Sequence, residues 1–196
     1  GSVTVSALVT PANLVATAAS ASQVNVDWGD VAGADHYDVW RSSNGGEYAI
    51  VGSPSVSAFT DSTVSANTTY LYRVQAVDGG DDPSAFSNLD AATTVMFTDD
   101  PLVTLTTKVK LAHITELRTA VNAIRAAATL GALAADGTIA AGALVRAQHV
   151  NALRTGLNEA RSVIGLSALT YTDPALTAGA TKIKSSHIHE LRNGVR

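Results

Sequence analysis

Alternation of apolar and polar residues dominates the first half of the chain. In Val24-Asn25-Val26-Asp27-Trp28 the apolar side chains fall on one face and the polar ones on the other, which is the pattern of a half-buried strand. Tyr37-Asp38-Val39-Trp40-Arg41 predicts a second strand running into Ser42-Ser43-Asn44-Gly45-Gly46. Asn-Gly favours a tight hairpin because both turn residues take positive φ, so a return strand is expected over Glu47 to Val51. Further on, Tyr70, Tyr72, Val74 and Ala76 share one face of a strand. Short strands, frequent turn signals and almost no helical period predict an antiparallel sandwich.

Pro11-Ala12-Asn13-Leu14, the Trp28 strand, Gly33 to Val39, Thr60-Asp61 and Thr69 to Ala76 together resemble a fibronectin type III domain over about residues 9–96. The resemblance implies structural roles for Trp28, as the core tryptophan, and for Tyr70, as the tyrosine-corner residue. Trp40 lies on the opposite face of its strand from Tyr37 and Val39, where packing and ligand binding are both open to an aromatic ring. The acidic loop Asp78-Gly79-Gly80-Asp81-Asp82-Pro83 reads as a solvated turn rather than a calcium site. Residues 1–8 precede the sandwich, and the β-prone run Val3 to Val9 predicts an extra strand, paired within the chain or with a neighbour's edge.

Beyond residue 96 the period changes from two to three and four. Ile114, Leu117, Val121, Ile124 and Ala128 form one helical stripe, Val150, Leu153, Leu157, Ala160 and Ile164 a second, and Ile188, Leu191 and Val195 a third. Each stripe follows a related motif, carried by His113-Ile-Thr-Glu-Leu-Arg118, His149-Val-Asn-Ala-Leu-Arg154 and His187-Ile-His-Glu-Leu-Arg192. The histidines are 36 and 38 residues apart, a spacing that marks a helical repeat over 97–196. Phe97-Thr98-Asp99 and Tyr171-Thr172-Asp173 precede the first and third units, whereas the middle unit has Leu133-Ala134-Ala135 in their place. The fold class is thus multidomain: an all-β sandwich, then an all-α domain of three repeats whose helices run parallel or antiparallel.

Placing the helix caps at Lys110, Arg146 and Lys184 makes hydrophobic staples of Val109 with Ile114, Val145 with Val150, and Ile183 with Ile188. His113, His149 and His187 then fall at the third helical position as capping acceptors, a structural role. A cation at a helix start opposes the macrodipole by about 0.3–1 kcal/mol, so each of the three cationic caps needs an anionic partner. Asp99 and Asp173, the acidic sandwich, or a bound anion would serve. Arg118, Arg154 and Arg192 recur with the geometry to fix a carboxylate or carbonyl between units. This half resembles the His-x-x-Glu-Leu-Arg helical repeats of exported bacterial proteins, a resemblance that implies a helical fold and location but no activity.

Composition adds a charge asymmetry. Residues 1–96 carry ten acidic side chains against Arg41 and Arg73, a net −8, while residues 97–196 sum to +4. Opposite fields favour docking within a chain or between copies. Absence of cysteine excludes disulfides and thiol chemistry. No run approaches the ~18 apolar residues of a membrane span, and the abundance of Ala, Thr, Ser and Val suggests an extracellular or cell-surface protein with its signal already removed.

Motifs for a nucleophile elbow, a phosphate loop or a zinc helix are missing, and His187-Ile-His189 puts its rings on different helical faces. No enzyme activity, cofactor or metal is expected. The basic half has only Phe97 and Tyr171 as aromatics, which argues against nucleic acid. The leading expectation is a non-catalytic structural or adhesive protein, assembling with copies of itself or binding cell-surface proteins or glycans. Its binding residues would be Trp40, Lys110, Arg146 and Lys184. The alternative is a carbohydrate- or protein-binding accessory region of a larger secreted enzyme.

Overall fold

The computed structural model describes residues 8–103, 108–134 and 144–196, so the expected strand before residue 8 lies outside the described residues. These residues hold seven strands and three helices. Strands β1 (Val15–Ser20), β2 (Gln23–Asp27) and β5 (Ala58–Asp61) form an antiparallel sheet in the order β1-β2-β5. A second antiparallel sheet runs β4-β3-β6-β7, from β3 (His36–Ser43), β4 (Ala49–Gly52), β6 (Thr69–Val77) and β7 (Asp90–Thr93). The two sheets pack as a sandwich resembling a fibronectin type III domain.

Alternation decides the core. Val24, Val26 and Trp28 from one sheet meet Tyr37, Val39, Tyr72, Val74 and Ala76 from the other, all buried. Trp28 and Tyr37 contact edge to face with centroids 5.3 Å apart. The Tyr70 hydroxyl accepts the Ser65 N–H at 2.7 Å, anchoring the chain just ahead of β6. At the predicted hairpin Asn44 and Gly45 both have positive φ, 50° and 70°. The return strand begins at Ala49 rather than Glu47. Gly46 N–H closes the turn onto Ser43 O, and Tyr48 is drawn onto the Arg73 guanidinium instead of into the ladder.

Helices α1 (Leu111–Ala127), α2 (Ala147–Val163) and α3 (Ser185–Gly194) start one residue after Lys110, Arg146 and Lys184. Their apolar stripes meet in one core that includes Ile114, Leu117, Val121, Val150, Leu153, Leu157, Ile188 and Leu191. Arg154 bonds Glu190 about midway along α2 and α3, and Arg161 bonds Gly194 O near their ends. Contacts that advance together along both helices mean that α2 and α3 run in the same direction.

The helices sit against the outer face of the second sheet. Ala127, at the end of α1, packs on Leu71 of β6 and Ala91 of β7, with Tyr48, Leu89, Ile164 and Leu166 around them. The contact made by these side chains is apolar; Arg125, Arg154, Arg161 and Arg192 bond carbonyls and carboxylates among the helices, and Arg161 also feels the Asp90 carboxylate of β7. Gly45 serves both requirements of its position. A Cβ there would lie 2.2 Å from Cγ2 of Thr129, just beyond α1, and its φ of +70° disfavours any other residue.

Candidate functional site

At two of the three helix starts a carboxylate, an imidazole and an ammonium come together. The Lys110 N–H donates to His113 Nδ1 at 3.2 Å, and His113 Nε2 lies 3.0 Å from Asp99 Oδ2. Since Nδ1 accepts, the ring proton is on Nε2 and is donated to the carboxylate. Lys110 Nζ reaches the same oxygen at 2.6 Å. Lys184, His187 and Asp173 repeat the arrangement, with Nδ1 accepting at 3.3 Å, Nε2 at 2.8 Å from Asp173 Oδ2 and Nζ at 2.7 Å. Both histidines are fully buried beneath their carboxylates. The expected capping role of the ring is thus one half of its bonding, the other half holding an aspartate.

These contacts shape the acid response. Hydrogen bonds from Lys184 and then His187 pull the Asp173 carboxyl down to about 2, and the same pair of donors lowers Asp99. A depressed folded value adds stability above the ordinary value of 3.8, and that contribution is lost as pH falls towards about 2. Urea unfolding followed by helical circular dichroism is therefore expected to weaken steadily below about pH 4 in the native chain. In Asp99→Asn/Asp173→Asn the slope over that window should flatten; an unchanged slope would show that other carboxylates carry it.

At the start of α2 the arrangement is incomplete. The Arg146 N–H donates to His149 Nδ1 at 3.0 Å, but no carboxylate meets His149 Nε2 or the Arg146 guanidinium among the described residues. No group of three or more metal-ligating side chains occurs among the described residues.

The recurring arginines tie each helix to the next unit. Arg154 donates to Asp173 O at 2.7 Å and to Glu190 at 3.2 Å, and lies over the Tyr171 ring at 4.1 Å. Arg192 donates to Thr98 O at 2.7 Å and Asp99 O at 3.2 Å, pairs with Glu116 at 3.4 Å and covers Phe97. Arg118 is also engaged. A second linking pair escaped the motif comparison. Asn122 and Asn158 hold the backbone N–H of Leu133 and Leu169, while Arg125 and Arg161 bond Gly156 O and Gly194 O. The repeated Asn-x-x-Arg spacing was the available signal.

On the sandwich, Trp40 is half-buried and meets Phe86 edge to face at 5.8 Å. Arg73 lies between the rings of Phe86 and Tyr48, at 3.8 and 4.0 Å. The Trp40 ring, expected as a binding residue, is thus packed against a neighbouring ring. In the acidic loop, Asp78 Oδ1 accepts the N–H groups of Gly80 and Asp82 at 2.9 and 3.0 Å, so this carboxylate organises the turn. A cleft of about 330 Å³ between β1 and the helices is lined by Thr17, Met96, Phe97, Asp100 and Arg196.

No family model matches the chain. It is 40% identical over 107 residues to a poly(3-hydroxybutyrate) depolymerase of Ralstonia pickettii, an alignment spanning 53% of this chain and 20% of that protein. It is 38% identical over 87 residues to an alpha-amylase of Niallia circulans, over 43% of this chain and 6% of that protein. Among solved structures, an Fn3-like protein from Clostridium thermocellum is 30% identical, covering 45% of this chain and 94% of that one with a TM-score of 0.41. The chain therefore spans about a fifth or less of the curated relatives it matches.

Proposed function

We propose that this chain is a non-catalytic accessory region of a larger extracellular protein, in which a fibronectin type III-like domain (residues 9–96) and a three-repeat helical domain (97–196) act as one stiff unit. The observation that carries it is the apolar seat of Ala127 on Leu71 and Ala91. Such a contact gives a spacer of fixed geometry, unlike a flexible linker. Two further facts support the reading. Imidazoles whose nitrogens are both committed, as in His113 and His187, have no free atom for proton transfer. The matched depolymerase and amylase are enzymes to which this sequence corresponds over only a small share of their length.

Small-angle scattering is expected to give a single rigid body for the native chain and a longer, jointed one for Ala127→Asp, in which a charge is forced into the apolar seat. Identical profiles would overturn the spacer. Incubation with poly(3-hydroxybutyrate) or amylose should release no product, and turnover above a heat-denatured control would overturn the non-catalytic assignment.

A second reading is a self-associating adhesive protein. Its specific support is the exposure of Val15 on the edge strand β1 and Ile50 on the edge strand β4, 52% and 46% exposed. Edge strands that expose apolar side chains invite pairing between copies, and β4 is the stronger candidate because the Ala16 N–H of β1 is already held by Asp90 Oδ2. Sedimentation that stays monomeric at high concentration would remove this reading.

A further inference from the structure

Two Asn-Gly pairs occur in the chain, Asn44-Gly45 and Asn193-Gly194. Such a pair is chemically unstable, because glycine has no Cβ to keep its backbone nitrogen away from the asparagine amide. We propose that Asn44 is a site of spontaneous deamidation, and that the product loosens the seat of the helices on the sandwich.

The fold separates the two pairs. Asn44 and Gly45 form the exposed tip of the turn between β3 and β4, with φ of 50° and 70°. Neither the Asn44 side chain nor the Gly45 N–H is hydrogen-bonded among the described residues. The turn is closed by Gly46 N–H on Ser43 O at 2.9 Å and by the Ser42 hydroxyl on Gly46 O at 2.5 Å. Rotation that brings the Gly45 nitrogen to the Asn44 side chain breaks these two bonds and unwinds no helix. Asn193, by contrast, lies in the last turn of α3, and Gly194 is buried against Leu169 and Leu157. It reacts only when the end of that helix unwinds and leaves the core.

Water is the one co-reactant. The Gly45 nitrogen, losing its proton, attacks Asn44 Cγ, and ammonia leaves as a cyclic succinimide closes. Water then opens the ring at either carbonyl. Attack at Cγ leaves aspartate; attack at the main-chain carbon leaves isoaspartate, whose backbone runs through Cβ and Cγ and is longer by a carbon. Both products carry a new negative charge beside Gly45, which lies against Thr129 and near Ala126 O at the C-terminal end of α1. Helix carbonyls there already present partial negative charge, so the carboxylate is repelled. The longer backbone also spoils a turn built on a pair of residues at positive φ. The loosening, though not the modification, rests on the stiff-unit reading.

The test is to hold the native chain in warm, mildly alkaline buffer, digest samples briefly in mild acid and map them by mass spectrometry, with an isoaspartyl methyltransferase marking isoaspartate. Conversion of the side-chain amide to an acid should run at least about tenfold faster at Asn44 than at Asn193, and the two rates should converge in urea, where no fold protects either. No conversion at Asn44, earlier conversion at Asn193, or the same ratio in urea would overturn the site. Small-angle scattering of the aged chain should move from the compact profile of the fresh chain towards a longer, jointed one. An aged chain converted at Asn44 but scattering as before would overturn the loosening. A fresh chain that is already jointed would instead sink the stiff-unit reading and leave the mapped site standing.

Discussion

Arg192→Ala is expected to destabilise the helical part by ~3–5 kcal/mol, the usual loss when one partner of a buried ion pair is removed. Arg192 is fully buried in the last turn of α3, and its guanidinium reaches the carbonyls of Thr98 and Asp99 and the carboxylate of Glu116. It thus joins the last helix to the segment that leads into the first. Truncation leaves two carbonyls short of a donor and Glu116 short of a cation, and opens a hole beside Phe97, over which the guanidinium lies at 4.7 Å. Arg192→Lys keeps a charge but cannot serve carbonyls and carboxylate with one planar fork, so an intermediate loss is expected. Both tryptophans, Trp28 and Trp40, lie in the sandwich, so fluorescence and helical circular dichroism read the two parts separately. In urea the dichroism midpoint should fall much further than the fluorescence midpoint. A loss below about 1 kcal/mol would mean that the closure is held by the apolar stripes alone.

That closure shows how far the sequence could be read. Apolar stripes and the repeated His and Arg positions located the helices and their caps at Lys110, Arg146 and Lys184, because these features arise from contacts a few residues apart. The direction of Arg192 was not legible: its partners lie 93 and 94 residues away, and spacing along a chain says nothing about which unit lies beside which. Strand alternation gave the sandwich core for a similar local reason. The charge asymmetry suggested an electrostatic interface, yet Ala127, Leu71 and Ala91 make an apolar one. Net charge describes long-range fields, whereas a seat between elements is set by the few side chains that lose water there. Lys110 and Lys184 face Asp99 and Asp173, the first of the partners expected for these cationic caps, and that pairing was legible because the aspartates recur at a fixed distance before the helices.

Asp61→Ala is expected to cost the sandwich a similar ~3–5 kcal/mol, again by stranding a buried ion-pair partner. Asp61 is 1% exposed at the end of β5 and is met from four directions. Arg41 Nη1 lies at 2.6 Å, the Tyr72 hydroxyl donates at 3.0 Å, and Thr63 gives its N–H at 2.9 Å and its hydroxyl at 2.7 Å. The carboxylate therefore joins β5 of one sheet to β3 and β6 of the other. Burial alone would raise its pKa, but the hydrogen bonds from Thr63, Arg41 and Tyr72 together outweigh it and hold the group below its ordinary value. The sign follows: the pair stabilises the sandwich above the ordinary carboxylate range, and the contribution disappears as pH falls below it. Asp61→Ala leaves the Arg41 charge with only the Thr63 hydroxyl and the Tyr72 hydroxyl without its acceptor at every pH, so its loss should be largest near neutrality and shrink in acid. Tyr72→Phe removes one donor from a carboxylate that keeps the others, and about 1 kcal/mol is expected. Tryptophan fluorescence in urea at about pH 7 and about pH 3, on either side of the carboxylate range, measures both effects. Equal losses at the two pH values would show that Asp61 acts through shape and neutral hydrogen bonds rather than through its charge.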